Sequence, residues 1–275
     1  MGIFDETRYF CTMTANYLST LTKYYQEIAK TATLLWEKGW AERNGGNISR
    51  MLPEQHTLTL ESDELQVFPL KKPIPALAKR IMLITGTGTR MRDVANNPQK
   101  TISCIAITEG GIGYQLITPD VIPSSEFPSH LMIQDFLAVH RPGYTSVVHT
   151  HATQVVAMSH LPAFADEQHF CHTLWKMIPE TYVFLPKGIA LLPYQIPGST
   201  EIARASVNAF SPGPDVIIWA KHGVFAIAPD TEDAFDKIDL IEKSAEIYLS
   251  AAATGKEPAG LSDKDLMDLK KTYSL

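Results

Sequence analysis

Residues 146–151 read S-V-V-H-T-H, a β-branched run that ends in two histidines two positions apart. Alternate side chains of an extended strand share a face, so His149 and His151 can converge on one metal ion. A second strand-like run, V-I-I-W-A-K-H-G at 216–223, is closed by His222. Three neutral imidazoles are a common donor set for catalytic Zn²⁺, with one coordination position left for water or substrate. An H-x-H pair at a strand end also reads as a partly exposed hydrogen-bonding pair, so the rest of the chain has to decide. His56, His130, His140, His160, His169 and His172 stand singly in helix-like or polar stretches, and read as surface or satisfied core residues.

The 275 residues, 45% hydrophobic and 20% charged, have an ordinary globular composition and enough length for a large core. Net charge is −6 and no run of Lys or Arg exceeds two, so no basic footprint for nucleic acid is visible. Cys11, Cys104 and Cys171 are odd in number and widely spaced, which implies neither a disulfide framework nor a cysteine zinc site. A reducing cytoplasm suits them. No apolar run approaches the roughly 20 residues that span a bilayer, and the opening M-G-I-F-D-E-T has neither a signal-peptide pattern nor, with Glu6, a myristoylation pattern. A soluble protein without a membrane partner is expected.

Outward from the histidines, residues 5–40 have helical spacing of apolar side chains, with Gly39 as terminator. R-N-G-G-N-I-S-R follows, a turn cluster at 43–50 whose Asn44, Gly45, Gly46 and Asn47 can offer backbone N–H groups to an anion, although most such stretches are tight turns. Residues 81–90, I-M-L-I-T-G-T-G-T-R, read as a buried strand running into a hydroxyl- and glycine-rich loop. Two further strands, I-S-C-I-A-I-T and G-Y-Q-L-I-T, joined by E-G-G-I-G, read as an antiparallel hairpin. P-S-S-E-F-P-S-H at 123–130 opens a helix that Ser124 or Ser125 can cap, with Glu126 in its first turn. By itself that glutamate is an ordinary first-turn acid. A helix follows the H-T-H run, short strands are expected at 182–185 and 189–192, and an amphipathic helix closes the fold at 231–253. Phe235, Ile238, Ile241, Ala245 and Leu249 form its apolar face; Glu232, Asp233, Lys237, Glu242 and Lys243 are read as solvated. No repeat or linker divides the chain, which is expected to be a single α/β domain over 1–275 with a helical segment at 1–35 packed on it.

If the histidines hold Zn²⁺ and the Asn/Gly, Thr/Gly and Ser clusters hold a phosphate, the free carboxylate of Glu126 is the evident general base. Chelation of a ketone and its neighbouring hydroxyl makes the intervening C–H proton removable near neutral pH, chemistry that suits a metal-dependent aldolase. The blocks R-N-G-G-N-I-S, T-G-T-G, P-S-S-E-F-P-S-H, V-V-H-T-H-A and K-H-G-V-F occur in the order and approximate spacing of the zinc-dependent class II aldolase/adducin family. The resemblance runs from about residue 36 to the closing helix. Within the family, G-W-x-E-R-N-G-G-N, P-S-S-E-F-P and the chain length are most similar to the branch that cleaves L-rhamnulose 1-phosphate. Members of that branch often carry T-S-E, T-G-S-G and H-C-H where this chain has S-S-E, T-G-T-G and H-T-H, and each change keeps a hydroxyl or a small side chain.

The resemblance implies a central, largely antiparallel β-sheet flanked by helices on both sides, assembled as a C4 homotetramer. It implies one Zn²⁺ per subunit on His149, His151 and His222, and Glu126 as the acid/base that moves the proton on the dihydroxyacetone phosphate carbon. Asn44, Gly45, Asn47, Thr85, Gly86, Thr87, Ser124 and Ser125 fall where the family binds the substrate phosphate. Glu180 aligns with an acid that assists at the aldehyde end of a neighbouring subunit's site. The implied activity is reversible cleavage of L-rhamnulose 1-phosphate. Cleavage of L-fuculose 1-phosphate and 4-epimerisation of L-ribulose 5-phosphate are the near alternatives. A non-catalytic scaffold like the adducin head is disfavoured by the presence of all three histidines and Glu126.

Overall fold

The computed structural model describes residues 15–54 and 65–275. The part of the first helix expected before Ala15, together with Cys11 and His56, lies outside the described residues. Nine strands form one sheet among the described residues: β1 (Asn47–Met51), β2 (Val67–Pro69), β3 (Ile81–Thr85), β4 (Ile102–Ile107), β5 (Gly113–Leu116), β6 (Ser146–Thr150), β7 (Ala190–Leu192), β8 (Val216–Trp219) and β9 (Gly223–Ala228). Their order is β2-β5-β4-β3-β1-β6-β9-β8-β7. Neighbours are antiparallel except β7 and β8, which run parallel at one edge. The expected mixed fold, a largely antiparallel sheet between helices, is the one observed.

Every residue of β6 is buried, since helices cover both faces of the sheet. Alternation then sorts the side chains by parity. Ile48, Val148, Val216, Ile218, Val224 and Ala226 join the larger core, under the helices Ala15–Glu37 and Thr231–Ala252. Val147, Ile217, Trp219, Phe225 and Ile227 face the opposite side, against Ile133 and Leu137 of the helix Phe127–His140 and Ile202 and Phe210 of the helix Thr200–Phe210. Each fully buried aliphatic side chain contributes about 1.5–3 kcal/mol. A one-residue slip of β6 would turn both sets to the wrong face and carry His149 to the other side of the sheet, away from His222.

Register brings the chemistry to one end of the sheet. Asn47 opposes His149 across β1 and β6, His149 opposes Phe225 across β6 and β9, and Trp219 opposes Gly223 where β8 turns into β9. The start of β1, the end of β6 and the β8–β9 turn are therefore neighbours.

Four expectations are corrected. Residues 182–185 are not a strand: 182–184 end the helix Pro179–Phe184 and Leu185 is its C-cap, with proline in the first turn behind an extended Ile178. His222 sits in the β8–β9 turn rather than on a strand, after Lys221 at φ 63. Neither Ser124 nor Ser125 caps the helix Phe127–His140; its N-cap is Glu126 itself, whose N–H donates to Ser124 Oγ at 3.3 Å. Glu242 is not solvated: it is buried, and its carboxylate accepts N–H bonds from Gln154 and Val155 at 2.9–3.0 Å. It closes the N-terminus of the helix Thr153–Ser159, the element that follows the histidine pair.

Glu242→Ala leaves those buried N–H groups unpaired and is expected to cost about 1–3 kcal/mol in denaturant unfolding. Glu232→Ala, which removes only an exposed pair with Lys30, should cost under about 1 kcal/mol. Equal effects of the two changes would contradict this reading of Glu242.

Candidate active site

The end of β6 is pinned by a single carbonyl. Trp40 O accepts both the His151 N–H, at 2.9 Å, and the Thr150 hydroxyl, at 2.7 Å. His149 lies flat against Phe225, with ring centroids 4.2 Å apart, and 5.5 Å from Trp219. His222 reaches over from the β8–β9 turn. The three imidazoles form a nearly equilateral triangle, with centroids separated by 5.3, 5.0 and 5.1 Å. One nitrogen from each lies within 4.8 Å of the others.

Hydrogen bonding identifies the free nitrogen on two of the three rings. His149 Nδ1 donates to the Val224 carbonyl at 2.9 Å, so its Nε2 carries the lone pair. His151 Nδ1 is held by Glu42 Oε1 at 2.7 Å. Carboxylate and carbonyl partners of this kind are what orient metal-binding imidazoles. His149 Nε2 and His222 Nδ1 are buried without a hydrogen-bond partner. Burial, then the neighbouring His151 and His222, hold His149 well below the usual histidine range. Burial lowers His222 as well, against the opposing pull of Glu126. Both rings are thus neutral, the form that binds metal.

Glu126 completes the arrangement. It is buried, and its Oε2 accepts Asn47 Nδ2 at 2.8 Å. The same oxygen is 3.4 Å from His149 Nε2, and Oε1 is 3.8 Å from His222 Nε2. Among the described residues no Lys or Arg pairs with it. A carboxylate facing an imidazole lone pair, with no hydrogen between them, is a contact that a cation relieves. The donor set fits a divalent metal with nitrogen preference, three side chains and an open side.

Three glycines allow the close packing. A Cβ on Gly223 would come within 2.8 Å of His149 Cε1 and 2.6 Å of Thr150 O. On Gly45 it would press on the His151 ring at 3.0 Å, and on Gly46, at φ +77, on His149 O at 2.9 Å.

The histidines floor a cleft of about 330 Å³ whose walls are the turns at 42–47, 86–88 and 124–126. Asn44, Gly45, Gly86, Thr87, Ser124 and Ser125 all line it. Part of the backbone on these walls is already engaged, because Gly45 N–H bonds Glu42 O, Gly86 N–H bonds Thr101 O and Thr87 N–H bonds Ile122 O. Side-chain hydroxyls and amides add to the polarity of these walls. Thr85 is buried outside the cleft, its hydroxyl accepting the Ile48 N–H at 3.1 Å. Asn47 lines the cleft, but its amide is engaged by Glu126 and His130. Glu180 is exposed on the helix Pro179–Phe184 and is not part of this wall. Sequence reasoning passed over Glu42, Arg43 and Gly223. Their signal was adjacency: Glu42 and Arg43 abut the N-G-G-N turn, and Gly223 follows His222.

Three imidazoles able to hold a metal ion, beside a carboxylate without a cationic partner, are what is needed to move a proton on a carbon beside a carbonyl, and the fold is that of a metal-dependent aldolase. The chain belongs to the class II aldolase and adducin family, the Class II Aldolase and Adducin N-terminal domain matching residues 26–249. It is 37% identical over 263 residues to a rhamnulose-1-phosphate aldolase of Bacteroides thetaiotaomicron, covering 93% of this chain and 96% of that one. A rhamnulose-1-phosphate aldolase of Enterococcus faecalis is 31% identical over 92% of this chain and 91% of its own. A sugar-phosphate aldolase from Thermotoga maritima of known crystal structure superposes with a TM-score of 0.75 at 32% identity, over 88% of this chain and 100% of that one.

Gly223→Ala should push both the His149 ring and the end of β6 at Thr150 out of place. The expected result is a drop in Zn²⁺ affinity of at least about tenfold in a competition titration, the scale of second-shell damage to metal sites. Parent-like affinity would show that the close approach at Gly223 does not matter.

Proposed function

We propose that this protein catalyses the reversible aldol cleavage of L-rhamnulose 1-phosphate to dihydroxyacetone phosphate and L-lactaldehyde. The observation that carries the reading is the Glu126 carboxylate, free of cationic partners and set against two of three converging imidazoles. The named relatives, matched over more than nine-tenths of both chains, support the substrate.

His149, His151 and His222 hold the metal, which we take to be one Zn²⁺ per subunit from the all-nitrogen donor set. When bound, it supplies Lewis-acid polarisation of the ketone oxygen. Glu126 takes a proton from the hydroxymethyl carbon of dihydroxyacetone phosphate in the condensation direction and returns it to that carbon in cleavage. Asn47 keeps the carboxylate turned toward the histidines, so the base is in place before substrate arrives. Asn44, Thr87, Ser124 and Ser125 offer hydroxyl and amide groups to the phosphate, on turns that Gly45 and Gly86 shape without donating their own N–H groups. Arg43, the one cationic side chain on the wall among the described residues, balances the dianion. Thr85 contributes by fixing β1 through Ile48 rather than by touching the phosphate.

Glu180 belongs to a second copy in this proposal. Exposed on its helix, it would enter a neighbouring subunit's cleft in a C4 homotetramer and assist at the aldehyde end. No helix among the described residues is long and apolar enough to cross a membrane, and Cys104 and Cys171 are free thiols, which suits the proposed cytoplasmic location.

The test is a coupled assay for dihydroxyacetone phosphate released from L-rhamnulose 1-phosphate, before chelation, after it, and after Zn²⁺ is returned. Activity should vanish and come back, and Glu126→Gln should lower kcat by about 10²–10⁴-fold with zinc retained. No release in any arm, or release only from L-fuculose 1-phosphate, would overturn the substrate assignment.

A further inference from the structure

His130 is fully buried one turn into the helix that begins at Glu126, and nothing in the chemistry above uses it. Its two ring nitrogens meet two different partners: Nε2 meets Asn47 Oδ1 and Nδ1 lies 2.8 Å from Ser49 Oγ. Ser49 Oγ also accepts Gln134 Nε2 at 3.2 Å, and the same Gln134 nitrogen donates to Thr145 O at 3.0 Å.

The direction of every hydrogen in this chain is dictated from its ends. Glu126 Oε2 and Thr145 O can only accept. Asn47 therefore presents its NH₂ to Glu126, which leaves its carbonyl oxygen for His130. That oxygen requires a hydrogen on His130 Nε2, so Nδ1 holds a lone pair and takes the Ser49 hydroxyl hydrogen. The Ser49 oxygen is then free to accept from Gln134. Four side chains donate in sequence, Gln134 to Ser49, Ser49 to His130, His130 to Asn47 and Asn47 to Glu126, where the chain ends. Aligned bonds of this kind polarise one another in a low-dielectric interior.

We propose that His130 is a positioning residue for catalysis, its Nε2–H locking the Asn47 amide in the one orientation that donates to Glu126. This rests on the reading of Glu126 as the acid/base. Without the lock the Asn47 amide can turn over, and its carbonyl oxygen would then face the carboxylate and repel it. Burial pushes the His130 imidazole down to about 3, so the ring stays neutral and the direction of the relay does not change with pH in the working range.

The test compares His130→Leu and His130→Gln, each alone and combined with Glu126→Gln, by the kinetics of ketose phosphate cleavage in the zinc-loaded protein. Leucine removes the donor, whereas the glutamine side-chain nitrogen can stand where Nε2 stood. His130→Leu should lower kcat about 10–100-fold with KM nearly unchanged, the usual span for outer partners of active-site groups. His130→Gln should recover most of the rate, and His130→Leu should cost nothing further once Glu126 is glutamine. Equal losses with and without Glu126, or a glutamine variant as impaired as the leucine one, would overturn the proposal. Should the leucine variant fail to fold, the glutamine variant and the tautomer decide. Selective ¹⁵N-histidine NMR should find His130 protonated at Nε2, and protonation at Nδ1 refutes the relay. A parent protein that releases no dihydroxyacetone phosphate, or Glu126→Gln at full rate, would sink the functional reading instead, and the tautomer still judges the relay.

Discussion

Nitrogen lone pairs repel, and three histidine nitrogens lie within 4.8 Å of one another at the floor of the cleft. The rest of the structure depends on holding them there. β6 is buried between β1 and β9, so its register is set by apolar side chains that have no alternative partner on either face. The histidine triangle inherits that register. His149 gains rigidity by lying on Phe225 and donating to Val224, and Trp40 O ties down the residues that follow. A site held in this way is arranged before any cation arrives, so binding need not first order the three rings.

Around this point the chain uses very small residues and very buried polar ones. Gly45 and Gly223 let backbone approach the His151 and His149 rings closely, and Gly46 does the same at the His149 carbonyl, where a Cβ would crowd each contact. Asn47, Ser49, His130 and Gln134 are buried beneath the cleft and satisfy one another, which keeps Glu126 oriented without a cationic partner. A lysine or arginine in that place would hold the carboxylate more tightly and take away its basicity. The cleft wall, by contrast, is partly exposed and hydroxylic, with Arg43 as its cation, which suits a ligand that must enter and leave.

Much of this was legible in the chain. Period-two spacing placed His149 and His151 on one strand face, and paired apolar runs gave the hairpin of β4 and β5. His222 was found as the right neighbour in the wrong local structure, because a strand and a tight turn both suit V-I-I-W-A-K-H-G until pairing with β9 is known. Thr85 and Glu242 illustrate what a linear reading misses: one hydroxyl points to β1 and one helix-face carboxylate points to another helix, and each direction is set by a partner far away in sequence. His130 is the clearest case. Its part depends on Ser49 and Asn47, distant in the chain, so no local pattern distinguishes it from any other buried histidine.

The central claim is that Glu126, beside the three-histidine site, moves the proton on the carbon next to the ketone. Exchange with solvent measures that step with no carbon–carbon bond made or broken. Dihydroxyacetone phosphate incubated with the zinc-loaded protein in D₂O, without aldehyde, should lose one of its two hydroxymethyl carbon-bound hydrogens to deuterium, as followed by ¹H NMR. Glu126→Gln should abolish the exchange while zinc content stays the same. Cleavage activity in a protein that shows no exchange, or exchange undiminished by Glu126→Gln, would contradict the account.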